Sequence, residues 1–107
     1  MQHTVSTEDQ ALVISLKGEL DHHSAASLRT ELDRMIDESA FADCIIDMTG
    51  VSFMDSSGLG VLLGRYKLIT EKGGHLTVRN PNRTIDRILK MSGIYSIVEV
   101  TKKESLK

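Results

Sequence analysis

The sequence predicts a single small α/β domain with a mixed, mostly parallel sheet. Strand-like apolar runs alternate three times with helical segments, an order that implies right-handed crossovers between parallel strands. The first two strand candidates are joined by a short polar turn, so we expect them to pair antiparallel. With 107 residues the chain has room for one modest core, which must be mainly aliphatic because Trp is absent and aromatic residues make up only 4%.

The first half of the chain contains three strand candidates and one helix. Residues 3–7 form a weak strand, and residues 11–16 form a strong one that is apolar on both faces, as in the interior of a sheet. Asp21 is a good N-cap for the helix that follows, and residues 43–48 are the second strong strand. The apolar stripe of that helix consists of Ala25, Leu28, Leu32, Met35 and Ile36.

The second half adds two helices and two strands. The central helix is predicted over about 57–70, ending before the pair Gly73-Gly74, and an alternating strand follows over 75–79. Pro81 stands where it can start the third helix, because its ring favours the first helical position. Residues 97–100 form a last short strand.

Composition argues against several classes of protein. The formal net charge of −2 gives no sign of a nucleic-acid or anionic-membrane partner. No apolar run approaches the roughly 20 residues that span a bilayer, and no signal-peptide pattern opens the chain. The single cysteine, Cys44, cannot form a disulfide within the chain, which favours a reducing compartment. We therefore expect a cytoplasmic protein without direct nucleic-acid or membrane partners.

Glycine is unusually placed at the start of the central helix. Gly58, Gly60 and Gly64 fall in its first turns, although each glycine inside a helix costs about 0.5–1 kcal/mol relative to alanine. Gly60 and Gly64 are four residues apart and share a face. The glycines either let the helix pack tightly on a neighbouring strand or leave a bare platform for a partner, and spacing alone does not decide between these interpretations.

Two carboxylates and a hydroxyl should converge in this fold. Asp21 follows the second strand and Asp55 the third, at the edge where binding sites of such sheets lie, and they begin adjacent helices. Ser56 stands at a helix N-terminus, where free N–H groups and the helix dipole favour an anion. A phosphate on Ser56 would add nearly two negative charges beside both carboxylates. The fold would therefore tolerate a phosphate on Ser56, and the added charge would make a workable switch for a docked partner that requires no conformational change.

The sequence gives weaker support for a catalytic site or a cofactor site than for a binding surface. The G-x-S-x-G nucleophile elbow is absent around the serines, and the segment 58–64 misses the dinucleotide fingerprint by one residue. His22 and His23 are adjacent on a helix and cannot both face one metal, and Cys44 is interpreted as a small buried hydrophobe. We therefore expect a binding module that is not an enzyme and needs no cofactor. Three methionines are interpreted as core or partner-surface residues: Met48, Met54 and Met91.

Three stretches closely resemble one known family. Residues 18–23 read Gly-Glu-Leu-Asp-His-His, residues 52–67 contain Asp-Ser-Ser-Gly-Leu-Gly, and residues 91–93 read Met-Ser-Gly. Together they resemble the anti-sigma factor antagonists, which are single STAS domains, and above all their sporulation branch in spore-forming bacilli. The resemblance implies one STAS domain over residues 1–107 with a polar tail from about residue 101. It also implies a sheet of four to five strands with helices packed mainly on one side.

The resemblance further implies a function for the predicted switch. Family members bind an anti-sigma factor that is also a serine kinase, which releases the sporulation sigma factor. The kinase phosphorylates the first serine of the Asp-Ser-Ser motif, which matches Ser56 here, and a serine phosphatase resets the switch. Asp21 matches an acidic residue near the partner surface. Further partner-binding residues are expected around the acceptor: Asp55, Ser57, Gly58, Leu59 and Gly60.

Two other functions stay open on the sequence. A related STAS antagonist in general stress signalling would use the same serine with a different kinase and sigma factor, although the Gly-Glu-Leu-Asp-His-His element favours sporulation. A small-ligand or nucleotide-binding domain would instead use the glycine platform as its ligand surface.

Overall fold

A five-stranded sheet and three helices make up residues 1–102, the part of the chain that the computed structural model describes. The strands lie side by side in chain order; β1 is antiparallel to β2, and the other neighbouring pairs are parallel. The predicted α/β class and mixed, mostly parallel sheet are confirmed. The elements are β1 (Gln2–Glu8), β2 (Ala11–Leu20), α1 (His22–Glu38), β3 (Asp43–Met54), α2 (Ser56–Glu71), β4 (Leu76–Arg79), α3 (Arg83–Ser92) and β5 (Glu99–Thr101), with a 3₁₀ turn over Ile94–Ser96.

One apolar core lies between the helices and one face of the sheet. Ile14, Ile46 and Val78 stand side by side on β2, β3 and β4, and all three are fully buried. Buried side chains from all three helices join the same cluster. Right-handed crossovers between strands in chain order place every helix on one face of the sheet, as the resemblance implied. No helix within residues 1–102 is both long and apolar enough to cross a membrane.

The two central strands run further than the sequence indicated. β2 continues to Leu20 and β3 to Met54, instead of ending near residues 16 and 48. Gly18, which looked like the exit from β2, lies inside the strand with φ 119°, and the pairing with β3 shifts register beside it. Such an irregularity uses the conformational freedom of glycine without ending the strand. The longer strands carry the N-caps of α1 and α2 to the same edge of the sheet.

The third helix begins later than predicted. Asn82 is its N-cap, because the Asn82 side chain accepts a hydrogen bond from the Ile85 N–H at 2.9 Å, and the first helical residue is Arg83. Pro81 therefore lies just before the cap and does not start the helix.

The last strand is also shifted. It covers Glu99–Thr101 instead of 97–100, because the 3₁₀ turn after α3 takes up the preceding residues. The polar tail expected from about residue 101 is ordered at its beginning, where the Lys102 ammonium contacts the Asp86 carboxylate at 2.8 Å. The rest of that tail lies outside the described residues.

Candidate functional site

The first turns of α1 and α2 meet at the edge of the sheet. The Asp55 N–H donates to the Leu20 carbonyl at 3.3 Å, and Asp55 Oδ2 accepts from the His22 N–H at 3.2 Å. Asp55 Oδ1 accepts from the Ser57 N–H at 2.8 Å, which makes Asp55 the N-cap of α2. One carboxylate thus caps its own helix and fastens the start of the neighbouring helix. The expected nearness of the two loops is confirmed.

Asp21 is held by a capping box at the start of α1. Asp21 Oδ1 accepts from the Ser24 N–H at 3.0 Å, and Ser24 Oγ accepts from the Asp21 N–H at 3.1 Å. The Ser24 hydroxyl also lies 3.0 Å from the Glu19 carbonyl, to which it donates. The hydrogen bond from the Ser24 amide is the main reason that the pKa of Asp21 lies below its ordinary value. Asp21 is therefore an oriented, ionised carboxylate beside the start of α2.

Ser56 stands free at the first position of α2. Its side chain is exposed, and its hydroxyl makes no hydrogen bond to any residue in the described part of the chain. Ser57 is half-buried, and its N–H is taken by Asp55. Of the two serines of the motif, Ser56 is the accessible one. Its position at the positive end of the helix dipole suits a phosphate group.

The three glycines of α2 occupy two kinds of environment. A Cβ added at Gly58 would overlap the Met54 side chain and lie 3.1 Å from Leu20 Cγ, so Gly58 lets α2 pack closely on these two residues. At Gly60 and Gly64 an added Cβ would meet nothing within 4 Å. The packing interpretation holds for Gly58, which is buried and can only shape the loop. The platform interpretation fits Gly60 and Gly64.

Apolar side chains border this platform. Leu59 is partly buried against the core, whereas Leu63, one turn further along α2, is 45% exposed. Leu63 lies three residues after Gly60 and beside Gly64, so it adds an apolar group to this platform. Phe53, near the end of β3, is 48% exposed, but it points away from the helices, because its neighbour Met54 is the residue buried under Gly58. Sequence reasoning did not single out Leu63 because its spacing with Leu59 and Leu62 is typical of a core-facing helix stripe, and it missed Phe53 because β3 was expected to end earlier.

Among the described residues, no group of three or more His, Cys, Asp or Glu side chains could hold a metal ion. His22 and His23 are exposed and meet edge to face, with ring centroids 6.1 Å apart. Cys44 is buried, and burial raises the pKa of its thiol to about 12. Neither the histidine pair nor Cys44 forms a metal site or a reactive thiolate beside Ser56. The polar groups of the loop around Ser56 are the Asp55 carboxylate and the hydroxyls of Ser56 and Ser57.

Comparisons with known proteins agree with this geometry. The STAS domain model matches residues 2–106. The chain is 43% identical to the anti-sigma F factor antagonist of Paenibacillus polymyxa over 83% of this chain and 76% of that protein. It is 31% identical to the anti-sigma-B factor antagonist of Bacillus subtilis, over 92% and 89% of the two chains.

A solved structure shows the same fold. The Bacillus cell fate determinant SpoIIAA in its phosphorylated form superposes with a TM-score of 0.73 and 28% identity, covering 97% of this chain and 93% of that one. The fold, the matched family model and the identity to named relatives lead to one conclusion. The chain belongs to the STAS domain family and, within it, to the anti-sigma factor antagonists.

Proposed function

We propose that this antagonist controls a sporulation sigma factor through phosphorylation of Ser56. The unphosphorylated form binds an anti-sigma factor serine kinase in the cytoplasm and so releases the sigma factor. Phosphate on Ser56 ends this binding, and a serine phosphatase restores it. The chain is then a regulated binding protein and not an enzyme. The observation that carries the proposal is the free, exposed Ser56 hydroxyl at the start of α2.

The charges around Ser56 explain how a phosphate would act. It brings about −1.5 to −2 charges next to the Asp55 and Asp21 carboxylates, and the helix start stabilises the anion so that the fold persists. A partner surface matched to the unmodified site would then face excess negative charge and added bulk. Buried like charges at interfaces cost several kcal/mol, which is enough for a hundredfold or larger loss of affinity.

The surrounding residues have distinct roles in this proposal. Asp55, Ser57 and Gly58 fix the loop that presents the acceptor. Leu59 and Gly60 form the low surface on which the kinase docks. The Asp21 carboxylate pairs with a cationic side chain of the kinase.

The name of the Paenibacillus relative and the structure of SpoIIAA in its phosphorylated form support this proposal. Incubation with the cognate kinase and ATP, followed by mass-spectrometric mapping, should place phosphate on Ser56. Phosphate on Ser57, or on neither serine, contradicts the assignment. Ser56→Asp should weaken kinase binding at least tenfold at an unchanged melting temperature. The matched control Ser56→Ala loses the hydroxyl without adding charge and should bind like the parent.

General stress signalling is a second candidate, supported by the 31% identity to the Bacillus subtilis anti-sigma-B factor antagonist. The site would operate in the same way with another kinase and sigma factor. Titration against the purified anti-sigma factor of each pathway separates the two functions. Tighter binding to the stress-pathway protein favours this second candidate.

A further inference from the structure

The outer face of α3 carries three cations, two of which have no anionic partner among residues 1–102. Arg83, Arg87 and Lys90 are spaced by four and three residues, so they form one exposed row, here called the cationic stripe. The Lys90 ammonium lies 3.9 Å from the Asp86 carboxylate, at the limit of an ion pair. Within residues 1–102 no carboxylate pairs with Arg83 or Arg87. The stripe is therefore positively charged, and its unpaired charge is carried by Arg83 and Arg87.

An exposed methionine adjoins the stripe. Met91 is 80% exposed, whereas Met48 and Met54 are buried in the core. Of the two interpretations given to the methionines from sequence, core or partner surface, only the second fits Met91. A flexible thioether adapts to irregular partner surfaces, and beside a row of cations it adds an apolar contact to an electrostatic one.

The outer face of α1 shows that this charge is not a general property of the helices. There Arg34 contacts Glu31 at 2.8 Å and Glu38 at 3.2 Å. The two arginines of α1 are also outnumbered by four carboxylates of the same helix, so its net charge is negative. The whole chain carries a formal net charge of −2. A positive row with two unpaired arginines, on a protein of net negative charge, is complementary to an acidic partner surface.

The stripe begins at the end of the sheet where Ser56 lies, beyond the carboxyl ends of the parallel strands. Asn82, the N-cap of α3, donates from Nδ2 to the Val51 carbonyl at 3.3 Å, and Val51 belongs to β3, which leads into the Ser56 loop. α1 connects β2 to β3, and α3 connects β4 to β5, in a sheet whose strands lie in chain order. Asp21 follows β2 and the cationic stripe follows β4, so the two lie on opposite sides of β3, and Ser56, just after β3, lies between them.

We propose that the cationic stripe and Met91 form a docking surface for the phosphatase that resets Ser56, and that this phosphatase presents an acidic patch. The inference rests on the proposed function. The kinase must lose its hold when Ser56 is phosphorylated, so a phosphatase on the same acidic side of the site would meet the same repulsion. If the phosphatase docks on the cationic stripe through its own acidic patch, the attraction between the two lets it bind the phosphorylated form.

The test compares two charge reversals of equal size on the phosphorylated protein. Arg83→Glu with Arg87→Glu removes the stripe, and Lys17→Glu with Arg29→Glu changes the net charge equally at exposed positions elsewhere. With the cognate phosphatase at low salt, the stripe variant should lose about tenfold in kcat/KM, mainly through KM, and the loss should shrink as salt rises. The control should stay within twofold of the parent. Met91→Ala should raise KM by a smaller factor.

Kinase binding provides the second readout and reports folding at the same time. Both double variants should be phosphorylated at the parental rate. The inference is overturned if parent and stripe variant are dephosphorylated with the same kcat/KM. It is also overturned if the control variant loses as much kcat/KM as the stripe variant, or if the stripe variant loses kinase affinity by the same factor. Loss of binding to RNA or anionic vesicles, with dephosphorylation unchanged, also overturns it. Failure of the kinase to phosphorylate Ser56 in the parent is a different result, because it removes the proposed function itself.

Discussion

The first turns of α1 and α2 are built alike but leave their serines in opposite situations. Each helix follows a parallel strand and begins at an aspartate N-cap, Asp21 or Asp55. In α1 the serine is the third helical residue, and the Ser24 hydroxyl is engaged by the capping box and the Glu19 carbonyl. In α2 the serine is the first helical residue, and the Ser56 hydroxyl is free within the described chain.

This comparison shows that the position of a serine in the first turn of a helix decides whether its hydroxyl is hydrogen-bonded or accessible. A hydroxyl at the third position faces back to the cap and saturates local backbone groups. A hydroxyl at the first position points away from them and stays accessible. Both turns follow an aspartate N-cap and contain a serine, so the position of the serine accounts for the different state of its hydroxyl.

The largest effect should come from exchanging these serines for alanine. Ser56→Ala should abolish phosphate incorporation by the cognate kinase and leave stability nearly unchanged. Ser24→Ala should still be phosphorylated but lose about 1 kcal/mol of unfolding free energy, because the hydrogen bonds of the Ser24 hydroxyl with the Asp21 N–H and the Glu19 carbonyl are lost. Phosphate assays beside urea denaturation measure both. Phosphorylation of Ser56→Ala, or a stability loss larger than that of Ser24→Ala, contradicts the comparison.

The glycines of α2 should respond in opposite directions. Gly58→Ala places a methyl group against buried Met54, which costs about 1–3 kcal/mol through overpacking. Gly60→Ala enters open space and should gain about 0.5–1 kcal/mol from helix propensity. Chemical denaturation measures both changes. A stabilised Gly58→Ala would show that Met54 can move aside. Gly60→Leu should keep the stability gain and weaken kinase binding.

The two N-caps should differ because Asp55 serves both helices. Asp55→Ala loses the cap of α2 and the hydrogen bond from the His22 N–H, and we expect a cost of about 1–2 kcal/mol. Asp55→Asn keeps one side-chain oxygen that can accept a hydrogen bond, so it should lose less unfolding free energy than Asp55→Ala. Hydrogen exchange should show faster opening of the first turns of both helices in Asp55→Ala. Faster exchange in α2 alone contradicts a bridging role.

The smallest effect should be the pH dependence that Asp21 contributes. Its pKa is depressed in the folded state, mainly by the Ser24 amide. The stabilisation is therefore fully present above the unfolded pKa and is lost as the pH falls through the folded pKa. Asp21→Asn removes this stabilisation, so the variant should be slightly less stable than the parent at neutral pH and should approach the parent in acid, which flattens the acid limb of its stability curve. Identical acid limbs for parent and variant contradict this assignment.

Much of the fold follows from sequence because periodicity and capping residues act locally. The apolar stripe of α1, the Asp21 cap and the order of strands and helices could be predicted from these patterns. The ends of β2 and β3 could not, since whether Gly18 exits a strand or bends it depends on the neighbouring strand. The opposite environments of Gly58 and Gly60 likewise depend on where Met54 packs. The free hydroxyl of Ser56 also becomes visible only when both helix starts are in place.

The two oxygens of Asp55 tie both helix starts to one side chain, and this has a consequence for timing. Neither start can move without giving up a hydrogen bond, so the proposed phosphorylation of Ser56 would take place on a stiff support. No slow rearrangement would then separate the phosphorylation from its effect on binding. Response time in such a circuit would be set by the turnover of the modifying enzymes alone.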